Sequence, residues 1–210
     1  MTPTYSFNVY ALPPTVTALA LVLLGVAILI RERMSRVSVA FLLIQLAVSL
    51  WLCGAALMYC ATDEAVAVLW ARFRYLGIIF IPWTIYLFSV VAMGIYVRRK
   101  RLIWAGFLLS AFFSAAALGS DALVASAHRY WWGYSARHGW LGIPLVVFFL
   151  GLALANLHDY WVEYRKAEAG TRKLRLRALL TAFGIAYLVS GAKSVSASIF
   201  SGIVARGPCD

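Results

Sequence analysis

Long apolar runs alternate along this chain with short polar stretches, and the polar stretches change character from one to the next. Five runs stand out, at roughly 13 to 31, 37 to 60, 65 to 96, 102 to 119 and 141 to 163. A sixth begins near Arg177 and fades after Leu188. About 20 helical residues cross a hydrocarbon layer of about 30 Å. In lipid, backbone amides and carbonyls must find partners inside their own segment, so the runs predict helices rather than open strands. The expected fold class is all-α: a polytopic membrane bundle of six clear spans with a possible seventh, forming a single domain over residues 1–210 with no soluble appendage.

The prolines refine this outline. Pro13 and Pro14 stand where the first helix begins, and Pro144 near the start of the fifth, positions where a missing N–H costs little. Pro82 lies inside the third run, where it removes a hydrogen bond to the Ile78 carbonyl and predicts a kink. Asp63, Glu64, Arg72 and Arg74 near the start of that run suggest that 64–74 lies along the membrane interface and that the chain enters hydrocarbon near Tyr75. Small residues at Gly54, Ala55 and Ala56 and over 114–117 allow close helix contact, for folding or for a homodimer.

Composition supports a membrane protein: 63% of residues are hydrophobic, mean hydropathy is +0.84 and only 13% are charged, against about 25% in ordinary soluble domains. The basic residues then orient it. Arg31, Arg33 and Arg36 follow the first span, Arg98, Arg99, Lys100 and Arg101 the third, and Arg165, Lys166, Arg172, Lys173, Arg175 and Arg177 the fifth. Thirteen of nineteen basic residues therefore fall on one side, which the positive-inside rule makes cytoplasmic. The uncharged N-terminus, Asp63, Glu64 and the segment from Ser120 to Trp140 are expected outside. The net charge of +11 is divided among loops and offers no continuous groove for nucleic acid; contact with anionic lipid headgroups accounts for it. The first apolar run has no basic n-region before it and reaches full spanning length, so it reads as a permanent span and not a cleaved signal peptide. Cys53 and Cys60 read as buried small hydrophobes, and no cysteine spacing indicates zinc or a disulfide framework.

Candidate chemistry gathers on the outer side. Arg72 and Arg74 are two residues apart and point to nearly opposite helix faces, so they form no single clamp. The segment 128–140 holds His128, Arg129, Tyr130, Trp131, Trp132, Gly133, Tyr134, Arg137, His138 and Trp140; an interfacial aromatic belt explains much of it. As a binding site, Arg72, Arg74 and Tyr75 would hold an anionic group, with Trp131, Trp132, Tyr134 and His138 as a lid over an apolar portion. Interfacial anchoring is the alternative for each of these residues.

Three stretches carry a resemblance: Ala11-Leu12-Pro13-Pro14, Trp70-Ala-Arg-Phe-Arg-Tyr-Leu-Gly77 followed by Pro82, and Tyr130-Trp-Trp-Gly-Tyr134. In order and spacing, from about residue 8 to residue 189, the chain resembles the N-terminal seven-transmembrane sensor region of bacterial histidine kinases and related cyclic-di-GMP signalling proteins. The resemblance implies a sensory input module in the bacterial inner membrane. It also implies an unknown stimulus or small-molecule ligand, and a cytoplasmic signalling output domain or partner. Two departures follow. Residues 190–210 are too polar for a convincing seventh span, and no kinase or cyclase output domain follows, so the sequence is expected to be a truncated, degenerate or stand-alone input region.

Enzymatic chemistry is not expected in the chain itself. No two of its fifteen glycines are two residues apart, so no Gly-rich phosphate loop is present, and neither a G-x-S-x-G elbow nor an H-E-x-x-H helix occurs. His158, Asp159 and Glu163 could bind a metal weakly, but ion pairing at an interfacial helix end explains them; no cofactor and no metal are expected. A small transporter or facilitator and a non-signalling membrane anchor are the competing functions. The absence of an acidic residue at any span centre argues against proton or cation coupling.

Overall fold

The computed structural model describes residues 4–167, 170, 173–174, 176–182 and 184–185. Among these, five helices are long and apolar enough to cross a membrane: α1 (Leu12–Arg31), α2 (Arg36–Cys60), α3 (Glu64–Ala92), α4 (Tyr96–Gly119) and α5 (Gly142–Lys166). A 3-10 turn, Val9–Ala11, leads into α1, and two strands, β1 (Val124–Tyr130) and β2 (Gly133–His138), lie between α4 and α5. The chain is a multi-pass membrane protein. Of the sixth run, 177–182 and 184–185 are helical and the remainder lies outside the described residues, as do the tail 190–210, Arg172, Arg175 and Cys209. The boundary between two compact units falls inside α5: one unit runs from Met1 to Leu152 and the other begins at Ala153.

The first unit is built on close passage of α2 against α3. A Cβ on Gly77 would lie 2.5 Å from the Ala47 carbonyl oxygen and the Trp51 amide nitrogen, and one on Gly54 would lie 2.7 Å from the Arg74 Cβ. Glycine at these two points lets the backbones meet, as small residues do between membrane helices. Gly54 and its buried neighbours Ala55 and Ala56 thus serve packing within the chain. Serine hydroxyls tie further pairs, Ser49 Oγ donating to the Ala18 carbonyl at 3.0 Å and Ser110 Oγ to that of Ile79 at 3.4 Å. The second of these sits one turn before Pro82, through which α3 continues as one helix. Large apolar side chains such as Leu19, Leu23, Ile30, Leu108 and Phe112 stay exposed, the outward face expected of helices solvated by lipid.

Four sequence expectations change. α3 ends at Ala92 and α4 begins at Tyr96, so Arg98 to Arg101 occupy the first turns of α4 and not a loop. The break is made by Gly94, at φ +75°, with Ile95 N–H donating to Val90 O at 3.0 Å and Gly94 N–H to Val91 O at 3.1 Å. This is a glycine helix stop hidden between apolar residues. Residues 64–74 form the first turns of α3 without a break, and Ala67 and Ala71 are wholly buried. Cys53 is exposed and Cys60 only half-buried, because Cys53 shares the outward face of α2 with Leu46 and Leu57. Finally, the all-α expectation misses the antiparallel hairpin of β1 and β2, whose register runs from Tyr130 opposite Gly133 to Val124 opposite His138.

The hairpin belongs to the core of this unit. Leu123, Val124, Ala127 and Tyr134 join Met58, Ala67, Ala71, Tyr75, Ile79, Phe113 and Ala117 in one buried cluster. In the second unit α5 carries Asn156, Asp159, Tyr160 and Glu163, all buried, on the successive turns of one face. Lys166 Nζ pairs with Glu163 Oε1 at 3.7 Å, and Arg165 lies over the Trp161 ring at 5.3 Å.

Candidate functional site

A cleft opens where the N-terminal segment, the α2–α3 turn and the hairpin tip meet, at the opposite end of α1 and α2 from Arg31, Arg33 and Arg36. Its construction begins with Asn8. The side-chain oxygen of Asn8 accepts from the Tyr10 amide at 3.0 Å, starting the turn into α1. Its Nδ2 donates to the Tyr59 carbonyl at 2.9 Å and to the Trp132 carbonyl at 2.8 Å, so one amide group joins three elements. Ahead of it, Tyr5 bridges Ala61, Ser6 N–H donates to Cys60 O at 2.8 Å, and Trp70 Nε1 donates to the Tyr5 hydroxyl at 2.9 Å.

The hairpin tip is made of Trp131 and Trp132, followed by Gly133 at φ +135°. That glycine also fits because a Cβ there would lie 3.1 Å from Tyr59 Cα and 3.3 Å from Asn8 Nδ2. Rings stiffen the tip. Tyr130 stacks on Trp132 with centroids 4.5 Å apart, Trp131 stands edge-on to Trp132 at 5.3 Å, and Tyr10 meets Trp131 edge-on at 5.4 Å. Such pairs contribute about 0.5–1.5 kcal/mol each beyond their burial.

The cleft beneath this cover has a volume of about 550 Å³, within the usual range for small-molecule sites. α1 supplies Pro13, Pro14 and Thr17, with Tyr10 just before it; α2 supplies Trp51, Leu52, Ala55 and Tyr59; α3 supplies Arg74; and the tip supplies Trp131 and Trp132. Among the described residues, Arg74 is the single charged one in this lining. Among the described residues no hydrogen bond or ion pair engages it, and its Nε is buried without a partner. Trp51 Nε1, in the same lining, is likewise buried and unpartnered. A buried donor left unsatisfied costs about 1–3 kcal/mol, and two such donors line this cleft.

Of the seven residues expected to bind a ligand, the structure brings three to the cleft: Arg74, Trp131 and Trp132. Arg72 points elsewhere and forms an ion pair with Asp121, just ahead of the hairpin. Tyr75 and Tyr134 are 3% and 8% exposed and belong to the buried cluster, not to the cleft lining. The His138 backbone pairs with Val124, and its side chain lies outside the described residues. Sequence reasoning missed Asn8, Tyr10, Trp51 and Tyr59. The repeat of Trp51, Ala55 and Tyr59 at intervals of four marks one α2 face, the signal that would have pointed to this wall.

Comparison with known proteins places the chain. No curated protein matches it. The family described as the N-terminal 7TM region of histidine kinase matches residues 14–205, nearly the whole chain. With five apolar spanning helices in the same residues, the chain belongs to the N-terminal 7TM regions of histidine kinases, the membrane sensory input of those proteins.

Proposed function

We propose that the cleft is the stimulus site of this sensory input module, that it faces the outside of a bacterial inner membrane with the N-terminus outside, and that occupancy shifts α1, α2 and the hairpin tip against one another. The shift travels along α1 and α2 to their basic ends and from there to a cytoplasmic signalling output domain. The observation that carries this reading is the composition of the cleft wall, in which three transmembrane helices and the hairpin each contribute a side. A ligand touching all four changes their relative positions whenever it binds one arrangement better than another. Pro82 supports it as a place where α3 can bend, since its Ile78 carbonyl lacks the usual amide partner.

The test is made in a histidine kinase carrying this chain as its input region, with Cys53, Cys60 and Cys209 replaced by alanine. Thr17→Cys puts a thiol in the cleft wall and Val9→Cys one on a nearby exposed position. A bulky membrane-impermeant maleimide on Thr17→Cys is expected to change autophosphorylation severalfold, and the same label on Val9→Cys to leave it unchanged. Labelled Thr17→Cys with unaltered autophosphorylation would sink the reading.

A further inference from the structure

The chemistry of the cleft narrows what it binds, given the reading above that it is the stimulus site. Among the described residues its only charge is the Arg74 guanidinium, and no Asp, Glu or His lines it. Its two buried unpartnered polar atoms, Arg74 Nε and Trp51 Nε1, are both donors; guanidinium and indole nitrogens donate and do not accept. A neutral ligand with an acceptor oxygen would satisfy those donors but leave the charge uncompensated, and a cation would add to the charge. An oxyanion answers both, because its oxygens only accept and planar guanidinium binds carboxylate or phosphate especially well. Apart from Thr17, whose hydroxyl donates to the Pro13 carbonyl at 2.8 Å, the rest of the wall is aromatic or apolar, with Tyr10, Tyr59, Trp131 and Trp132 presenting rings. Rings of this kind cover an apolar body at small cost in side-chain entropy.

We propose that the cleft takes an amphiphilic oxyanion, whose single negative group is held by Arg74 and the Trp51 N–H and whose apolar body lies among the rings of Tyr10, Tyr59, Trp131 and Trp132. Two sources supply this chemistry: a free organic acid from the aqueous side, or the phosphate and upper acyl region of a lipid headgroup. Arg72, with its own carboxylate in Asp121, takes no part.

The test uses the full chain in lipid nanodiscs, with phenylpropionate as probe and the isosteric neutral phenylpropanamide as control, followed by calorimetry and tryptophan fluorescence. In discs of phosphatidylcholine, phenylpropionate is expected to bind saturably, and the amide about tenfold or more weaker, the loss that goes with a charge-assisted hydrogen bond. Arg74→Gln and Trp51→Phe are each expected to weaken the acid without weakening the amide. Trp51→Phe keeps ring volume and guards against a folding defect in the Arg74 variant. Replacing part of the lipid by phosphatidylglycerol separates the sources. Undiminished binding of the acid points to a free ligand; competition that disappears in Arg74→Gln points to a headgroup, and both uphold the oxyanion. Equal binding of acid and amide overturns the ligand class while leaving the cleft a receptor site. An absence of any Arg74-dependent effect, from either the probe or phosphatidylglycerol, overturns it too, and the maleimide experiment then judges the stimulus site independently.

Discussion

Gly77 shows how much one hydrogen atom decides in this protein. A methyl group there would meet backbone atoms of Ala47 and Trp51, which cannot rotate away as a side chain would. Gly77→Ala is therefore expected to push α2 from α3 and cost about 2 kcal/mol or more, seen as a lower thermal midpoint in detergent or nanodiscs. Gly151→Ala, where an added Cβ meets nothing within 4 Å, is expected to hold or raise the midpoint, since alanine is the better helix former by up to about 1 kcal/mol. Equal effects at the two sites would contradict the packing described. The same scale explains which site residues could be read from sequence. Arg74 is conspicuous as a charge near the start of an apolar run, but Tyr75 follows it by a 100° helical step that turns its ring into the core. Trp51 escaped notice because a tryptophan inside an apolar run gives no sign that its N–H lacks a partner.

The helices were legible as elements because each apolar run is long enough to cross lipid and permits little else. The hairpin was not, for a physical reason: its strands lack a clean alternation of apolar and polar residues, and its tip is a pair of tryptophans, which resemble an interfacial belt more than a turn. Gly133 was the available clue, and its positive φ is what the tip requires. The α3–α4 break was hidden in the same way, with apolar Met93 and Ile95 flanking Gly94. Asn8→Ala is expected to release the tip without unfolding the helices. Hydrogen exchange at the amides of 131–133 should quicken by about tenfold, as loss of one or two hydrogen bonds implies, while the thermal midpoint hardly moves. Unchanged exchange would show that ring contacts alone hold the tip. The Arg72–Asp121 pair also joins α3 to the chain just before the hairpin, but Asp121 is 76% exposed. Asp121→Asn should thus change stability by less than about 1 kcal/mol, measured by thermal denaturation.

At the scale of the whole molecule, the orientation read from the basic clusters has a direct check. In intact cells, a chain whose only cysteine is Trp131→Cys is expected to react with a membrane-impermeant maleimide. One carrying only Glu32→Cys, in the α1–α2 turn beside Arg31 and Arg33, is expected to react only after permeabilisation. The reverse pattern would put the cleft in the cytoplasm. The sequence reading and the structure agree most closely on the number and order of the first five crossings. They differ where backbone hydrogen bonds, invisible to hydropathy, decide the outcome. A side-chain bond to the backbone, from Asn8 Nδ2 to the Trp132 carbonyl, also governs timing during synthesis. Asn8 and Trp132, which together close the end of the cleft, are 124 residues apart. A ribosome adding about 5–20 residues per second takes roughly 6–25 seconds to make that stretch. Until then the first two helices sit in the bilayer with their shared wall unroofed, so the cleft is closed only after Trp132 has been translated, and a nascent chain stopped before the hairpin has no pocket to fill.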